Sequence, residues 1–175
     1  DYVNKYSEKY DYNLSKIEIS NLKYFSKDEI SIYFEDYYDK SIFLIPINKL
    51  ANDIRRIKWV KKINIKHNYK NTLSIEIDEE IPLGIYVQND NQILFSENLI
   101  ILKNLKKNHN FSNLILFFGE NSIINSKILI ENLAENLINN IITAIYVSNR
   151  RWDLVLENKI ILRLPEENIK DAIKN

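Results

Sequence analysis

The chain has no cysteine and no methionine, and its 175 residues include only two glycines and three prolines. Without cysteine there is no disulfide, no thiolate metal site and no thiol nucleophile. Two glycines, Gly84 and Gly119, cannot build a P-loop, a GxGxxG turn or a Gly-x-Ser-x-Gly elbow. An apolar run of about 18 residues, the length a spanning helix needs, is also missing, and so is the pattern of a signal peptide. Basic and acidic residues balance at 24 each, so bulk charge points to no strongly charged partner. A chain without methionine is expected to be a piece of a longer protein whose reading frame starts elsewhere.

What is present is a core. Hydrophobic residues make up 45% of the chain, with charged residues at 27%, a balance that argues against disorder. The length suits one domain or two small ones. Punctuation falls mostly to asparagine clusters. Residues 1–13 read as a lead-in with helical pieces. After them Ile17 and Ile19 alternate with charges as a short strand. Ser26 and Glu29 have capping-box spacing. Ile30, Tyr33, Phe34 and Tyr37 then lie on one helical stripe. A second helix is expected after Pro46, with Asn48 as N-cap and Ile47, Leu50, Ala51, Ile54 and Ile57 on one face. Ile63 and Ile65, then Leu73, Ile75 and Ile77, alternate as a hairpin turning over residues 67–72. The first module is thus β-α-α-β-β, with a boundary between Glu80 and Gly84.

The second module reads as strands at 83–87 and 93–95 around a turn at 89–91, and a strand at 114–118. A helix is expected over 126–139, with Ile130, Leu133, Ala134, Leu137 and Ile141 on one face. Strands at 142–147, 151–156 and 160–164 follow, and Pro165, Glu166 and Glu167 open a last helix, its acids suited to the helix dipole. Strands with a few helices, not strictly alternating, place the chain in the α+β class, in two units.

Candidate chemistry is sparse. His67 and His109 are the only histidines, without carboxylates at a metal-binding spacing, so neither a metal nor a cofactor is expected. Asp78, Glu79 and Glu80 read as a solvated strand end rather than an acid/base pair. Lys49, Arg55, Arg56, Lys58, Lys61 and Lys62 cluster near Trp59, and Lys103, Lys106 and Lys107 form a second group. Nucleic-acid binding would need such charges on one face, and overall neutrality favours solvated surfaces instead. A juxtamembrane position is the milder reading of the same charges. Trp59 and Trp152 read as core residues.

Four stretches carry a resemblance. IEISNLKYFSKDEI resembles the opening strand, tight turn and first helix of an FtsQ-type POTRA domain, with Asn21 where that family often has glycine. IRRIKWVKKINI resembles the end of its second helix and the next strand, Lys58 replacing the proline of a Pro-Trp-Val triplet. TLSIEIDEEIPLGIY resembles the last POTRA strand, whose Glu-x-x-Pro signature leads into the next domain. RRWDLVLENKIILRLPEE resembles the hairpin of the following β domain. Together they cover 14–175 in family order. The chain therefore resembles the bacterial cell-division family FtsQ/DivIB, with a lead-in at 1–13, a POTRA domain at 14–82 and a C-terminally truncated β domain at 83–175.

The resemblance implies a non-catalytic division scaffold on the periplasmic side of the inner membrane, anchored by an N-terminal helix. Its implied partners are FtsB- and FtsL-like division proteins, with no nucleic acid. It implies an acidic contact at Arg150 or Arg151, Asn149 being the neighbouring candidate for that register. It also implies a recruitment surface at Lys62, Ile65 and His67, of which Ile65 by its alternation reads as core. A further strand beyond residue 175 is expected to carry the main FtsB contact, so residues 1–175 alone are expected to bind that partner weakly. The competing reading is a POTRA-type chaperone module that binds outer-membrane polypeptides by strand addition.

Overall fold

The computed structural model describes residues 2, 3, 7, 10, 12–106 and 109–169. It is an α+β protein of two compact units, one ending at Glu80 and the other starting at Ile81.

The first unit contains β1 (Lys16–Ser20), α1 (Asp28–Ser31), α2 (Ile47–Ile54), β2 (Val60–His67) and β3 (Thr72–Glu79). Of the lead-in, residues 2, 3, 7 and 10 are helical. The sheet order is β1-β3-β2. β1 lies parallel to β3, with Ile17 opposite Leu73 and Ile19 opposite Ile75, while β2 is antiparallel to it. A parallel pair needs a long crossover, and the helical segment between β1 and β2 supplies it. Ile30, Phe34, Ile42 and Ile54 from that crossover are buried against Leu73, Ile75 and Ile77.

Two helix starts differ from the sequence reading. Lys27, not Ser26, holds the N-cap of α1; Ser26 Oγ accepts only the Asp28 N–H, at 3.1 Å. The α-helix lasts one turn and tightens into a 3₁₀ helix over Ile32–Tyr37. β-branched and aromatic residues lose rotamer freedom in an α-helix, and no side-chain cap compensates. The stripe survives the change: Ile30 and Phe34 are buried and Tyr33 and Tyr37 half-buried against the core. Asn48 lies inside α2, whose N-cap is Pro46. Ile57 follows the helix in a turn, its N–H donating to Ile54 at 3.0 Å.

The second unit contains β4 (Pro82–Gln88), β5 (Asn91–Ser96), β6 (Ile101–Leu105), β7 (Ile115–Phe118), α3 (Ser122–Asn132), α4 (Glu135–Ile138), β8 (Ile141–Val147), β9 (Arg151–Leu156) and β10 (Ile161–Arg163). Its sheet order is β10-β9-β8-β7-β4-β5-β6. The middle strands β4, β7 and β8 are parallel, and antiparallel hairpins flank them on both sides. Both glycines serve this sheet. A Cβ on Gly84 would collide with the Phe117 ring, and Gly119, at φ 98°, lies against the Tyr146 carbonyl.

Here too the structure corrects the reading. β6 was not expected. The long helix begins at Ser122, breaks at Leu133 and Ala134, which are extended, and resumes briefly as α4. Its buried face is Ser122, Ser126 and Leu129, while Ala134 is exposed and Ile141 belongs to β8. Asn132 Nδ2 bonds back to the Ile128 carbonyl at 2.7 Å, the kind of side-chain competition that ends helices. Pro165 to Asn168 are not helical, and Asn168 has φ 56°. Helix starts no earlier than Ile169, so Glu166 precedes it; the rest of the expected helix lies outside the described residues.

Candidate partner-binding surfaces

The arginine turn is built by local backbone geometry. Ser148 and Asn149 both adopt left-handed φ, 52° and 54°, between β8 and β9. Arg150 N–H closes the turn onto the Val147 carbonyl at 3.1 Å, and Tyr146 Oη donates to the Asn149 carbonyl at 3.1 Å. Asn149 is therefore a turn residue, its Oδ1 accepting from Asn121 Nδ2 at 3.4 Å. Arg150 stands exposed, its Nε 3.5 Å from a Glu166 carboxylate oxygen. Arg151 opens β9 and donates from Nε to Asp153 Oδ1 at 3.1 Å. The other oxygen of Asp153 lies 3.9 Å from Arg163 Nε, across the β9–β10 pair.

Three guanidinium groups thus share two carboxylates. The Arg150–Glu166 pair is exposed and contributes at most about 1 kcal/mol, so an incoming carboxylate can replace Glu166 at small cost, whereas Asp153 is half-buried beside Arg151 and Arg163. Guanidinium also offers five donors in a planar fork, which suits carboxylate recognition. Glu166 is read from the sequence only as a helix-start acid, and Arg163 and Asp153 have no role there. The strand register that sets Arg163 opposite Asp153 brings them together, and no motif marks it.

The second predicted set lies on β2, an edge strand of the first unit. Its members do not form one patch. Ile63, Ile65 and His67 alternate on one face, with Ile65 half-buried against the core. Lys62 follows a bulge, is exposed and lies opposite Asp78. His67 packs edge-on against Phe43 and Tyr69, with ring centroids 6.0 and 4.3 Å away. In the second unit, His109 pairs through Nε2 with Gln92 Oε1 at 3.0 Å.

Trp59 and Trp152 are both buried. Trp59 stacks on Tyr24 at 5.8 Å, and Trp152 meets Phe117 edge-on at 5.9 Å. A groove beside α3, between Leu83, Lys127 and Glu131, has a volume of about 200 Å³. That is below the roughly 300–1,000 Å³ of small-molecule pockets. Among the described residues, no group of His, Asp and Glu is placed to hold a metal ion, and no helix is long and apolar enough to cross a membrane.

A β-α-α-β-β unit with one parallel strand pair, followed by a seven-stranded β domain, defines a POTRA-containing protein. The FtsQ-type POTRA family model matches residues 12–80, and the model for the C-terminal region of cell division protein FtsQ/DivIB matches 85–175. The chain belongs to the FtsQ/DivIB family of cell-division proteins. It is 32% identical over 137 residues to the cell division protein FtsQ of Rickettsia typhi, which covers 77% of this chain and 50% of that protein. The FtsQ of Rickettsia prowazekii is 31% identical, over 84% of this chain and 56% of its own length. The chain thus spans about half the length of these curated relatives. A solved structure, the major extracytoplasmic domain of the division protein DivIB from Geobacillus stearothermophilus, aligns with a TM-score of 0.42 and 13% identity, over 56% of this chain and 88% of that one.

Proposed function

We propose that the chain is the extracytoplasmic portion of a membrane-anchored, non-catalytic division scaffold, lying on the periplasmic side of the inner membrane and enriched at the septum. In this reading its second unit receives an FtsB/FtsL-like partner at the β10 end of the seven-stranded sheet. A partner strand extends that end by backbone hydrogen bonding, and its carboxylates displace Asp153 and Glu166 from Arg151 and Arg150. The observation that carries the reading is the arginine turn. Three arginines gather at the β9–β10 end of the sheet, Arg150 in an exposed, exchangeable pair with Glu166 and Arg151 and Arg163 on the half-buried Asp153. On the first unit, Lys62 and the edge of β2, unpaired among the described residues, are the proposed recruitment surface, with His67 at its end and Ile65 supporting it from the core side. No observation favours the chaperone reading, since the second unit matches the FtsQ/DivIB family.

The test is titration of an acidic, FtsB-derived peptide against this chain and against full-length FtsQ of Rickettsia prowazekii. Weaker binding by the chain is expected; equal, tight binding would place the whole interface within it. Arg150→Glu with Arg151→Glu should weaken binding by about fivefold or more per lost pair. Unchanged affinity would remove the turn from the interface.

A further inference from the structure

The first unit carries a continuous line of rings on its surface. Tyr10, Tyr12, Phe43, His67 and Tyr69 follow one another at centroid spacings of 6.2, 5.5, 6.0 and 4.3 Å. Tyr10, Phe43 and Tyr69 are 51%, 52% and 69% exposed, and Leu44 beside Phe43 is 49% exposed. Phe43, Tyr12 and the 67–72 hairpin come from three segments that backbone bonds tie together. Ile42 donates to Tyr12, Leu14 to Lys40 and Ser15 to Asn71, each at 2.9 Å. The rings are therefore held side by side on ordered backbone, where a contiguous apolar patch calls for something to cover it.

The chemistry of the patch narrows what that is. Most of its rings have a polar edge, three tyrosines and a histidine around one phenylalanine, the amphipathic type enriched at membrane–water interfaces. Residues 10–16, 38–44 and 66–72 contain Lys16, Lys40, Lys66 and Lys70 against two acids, Asp11 and Asp39, in a chain of zero net charge. Lys16 is paired with Glu18. Among the described residues Lys40, Lys66 and Lys70 form no ion pair.

The position fits as well. β1 runs parallel to β3, from Lys16 opposite Thr72 to Ser20 opposite Glu76. The ring-bearing hairpin and the segment leading into β1 are thus at one end of the sheet, and Glu79, where the chain leaves the unit, is at the other. A membrane anchor preceding β1 delivers the ringed end to the bilayer.

We propose that this end of the first unit lies on the bilayer surface, with Phe43, Leu44 and Tyr69 at headgroup depth and Lys40, Lys66 and Lys70 against anionic lipid. The inference rests on the membrane-anchored reading above. The intrinsic affinity it needs is small, because an anchor supplies a high effective concentration.

The chain tethered by an N-terminal His tag to vesicles bearing nickel-chelating lipid reproduces that geometry. Tyr69→Trp provides the probe, since Trp59 and Trp152 are buried. On vesicles of phosphatidylcholine and phosphatidylglycerol in equal parts, the new tryptophan is expected to shift to the blue and to be quenched by brominated lipid, and Phe43→Ser should reduce both signals. Without the tether, Lys66→Gln and Lys70→Gln should each lower partitioning into the same vesicles by about fivefold, with little change on pure phosphatidylcholine. Exposed positions such as these change stability little, and a melt of each variant confirms it. Absence of quenching in the tethered chain at low salt overturns the proposal. So does a dimer, seen by sedimentation, that Phe43→Ser dissolves while vesicle signals stay at background; the rings would then face a second copy. Anchoring is read separately, by whether the full-length protein fractionates with membranes, and either result can fail without the other.

Discussion

The two units reach a buried core by opposite routes. The first has three strands, joined through a helical crossover, and its loops are tied down by contacts between residues far apart in sequence. Glu79, at the end of β3, accepts the backbone N–H groups of Lys23, Tyr24 and Phe25 at 2.7 to 3.1 Å. One carboxylate thus clamps the loop between β1 and α1, and Tyr24 in that loop lies over Trp59. The same Glu79 is the glutamate of the Glu-x-x-Pro signature, which gives that signature a physical role. The second unit is mostly hairpins, closed by left-handed residues in tight turns, Asn89 and Asp90 at φ 46° and 66° and Ser148 and Asn149 beyond them. Its core is an aromatic seam, with Phe95 edge-on to Phe117 at 5.3 Å and Phe117 edge-on to Trp152. Local turns set the hairpins on either side of the second unit's sheet, while the parallel pairing of β7 with β4 and β8 is long-range; the first unit depends on its clamp.

Removing one ring from each core tests the two units separately. Phe117→Ala should cost the second unit about 3–5 kcal/mol, and Trp59→Ala the first unit a similar amount. Hydrogen exchange read unit by unit should show each loss confined to its own side of Glu80. An unchanged melt for Trp59→Ala alongside lost partner binding would make Trp59 a contact residue instead of a core one. Next comes Gly119→Ala, which puts a Cβ against the Tyr146 carbonyl at a positive φ. Strain of about 1–3 kcal/mol is expected, read as a lower midpoint of the second unit in denaturant.

The clamp separates the units from the other direction. Glu79→Ala strands backbone donors in a half-buried loop and should destabilise the first unit by about 2 kcal/mol. Faster exchange at Lys23, Tyr24 and Phe25, with the second unit unaffected, is the expected signature. Smallest in stability is Asp153→Ala. It removes a part-buried pair with Arg151 and a longer contact to the exposed Arg163, together worth about 1 kcal/mol, so the midpoint should fall only slightly. Titration with an acidic partner peptide should then show tighter binding, because Arg151 and Arg163 no longer have an internal competitor. Weaker binding would mean that Asp153 orients these arginines for the partner.

Much of this architecture was legible because its signals are local. Alternation at Ile63 and Ile65 and at Leu73, Ile75 and Ile77 marks a half-buried hairpin whichever protein contains it. Asn21 occupies a left-handed turn at φ 66°, as expected of asparagine in place of glycine. α3 was misplaced for the reverse reason. Ile123, Ile124, Ile128, Leu129 and Ile130 surround the helix, so periodicity selects no face. Ile124 and Ile128 are left exposed, while Ser122 and Ser126 are buried. β6 escaped because ILKNL has no clean alternation; β5 beside it, not its own sequence, makes it a strand.

The candidate surfaces divide along the same line. Arg150 and Arg151 adjoin in sequence and are candidates by resemblance; Asp153 lies two residues from Arg151 on the same strand, whereas the β9–β10 register brings Arg163 to Asp153 and Glu166 reaches Arg150 from beyond β10. By itself the amino-acid sequence determined the α+β class, the order of most strands and the turns between them, because hydrophobic alternation and asparagine turns act over a few residues. Which face of α3 is buried, and that five rings line one end of the first unit, follow only from the tertiary fold. Those outcomes depend on segments up to 59 residues apart meeting in space, as Tyr10 and Tyr69 do through the rings between them, and no local pattern encodes such a meeting.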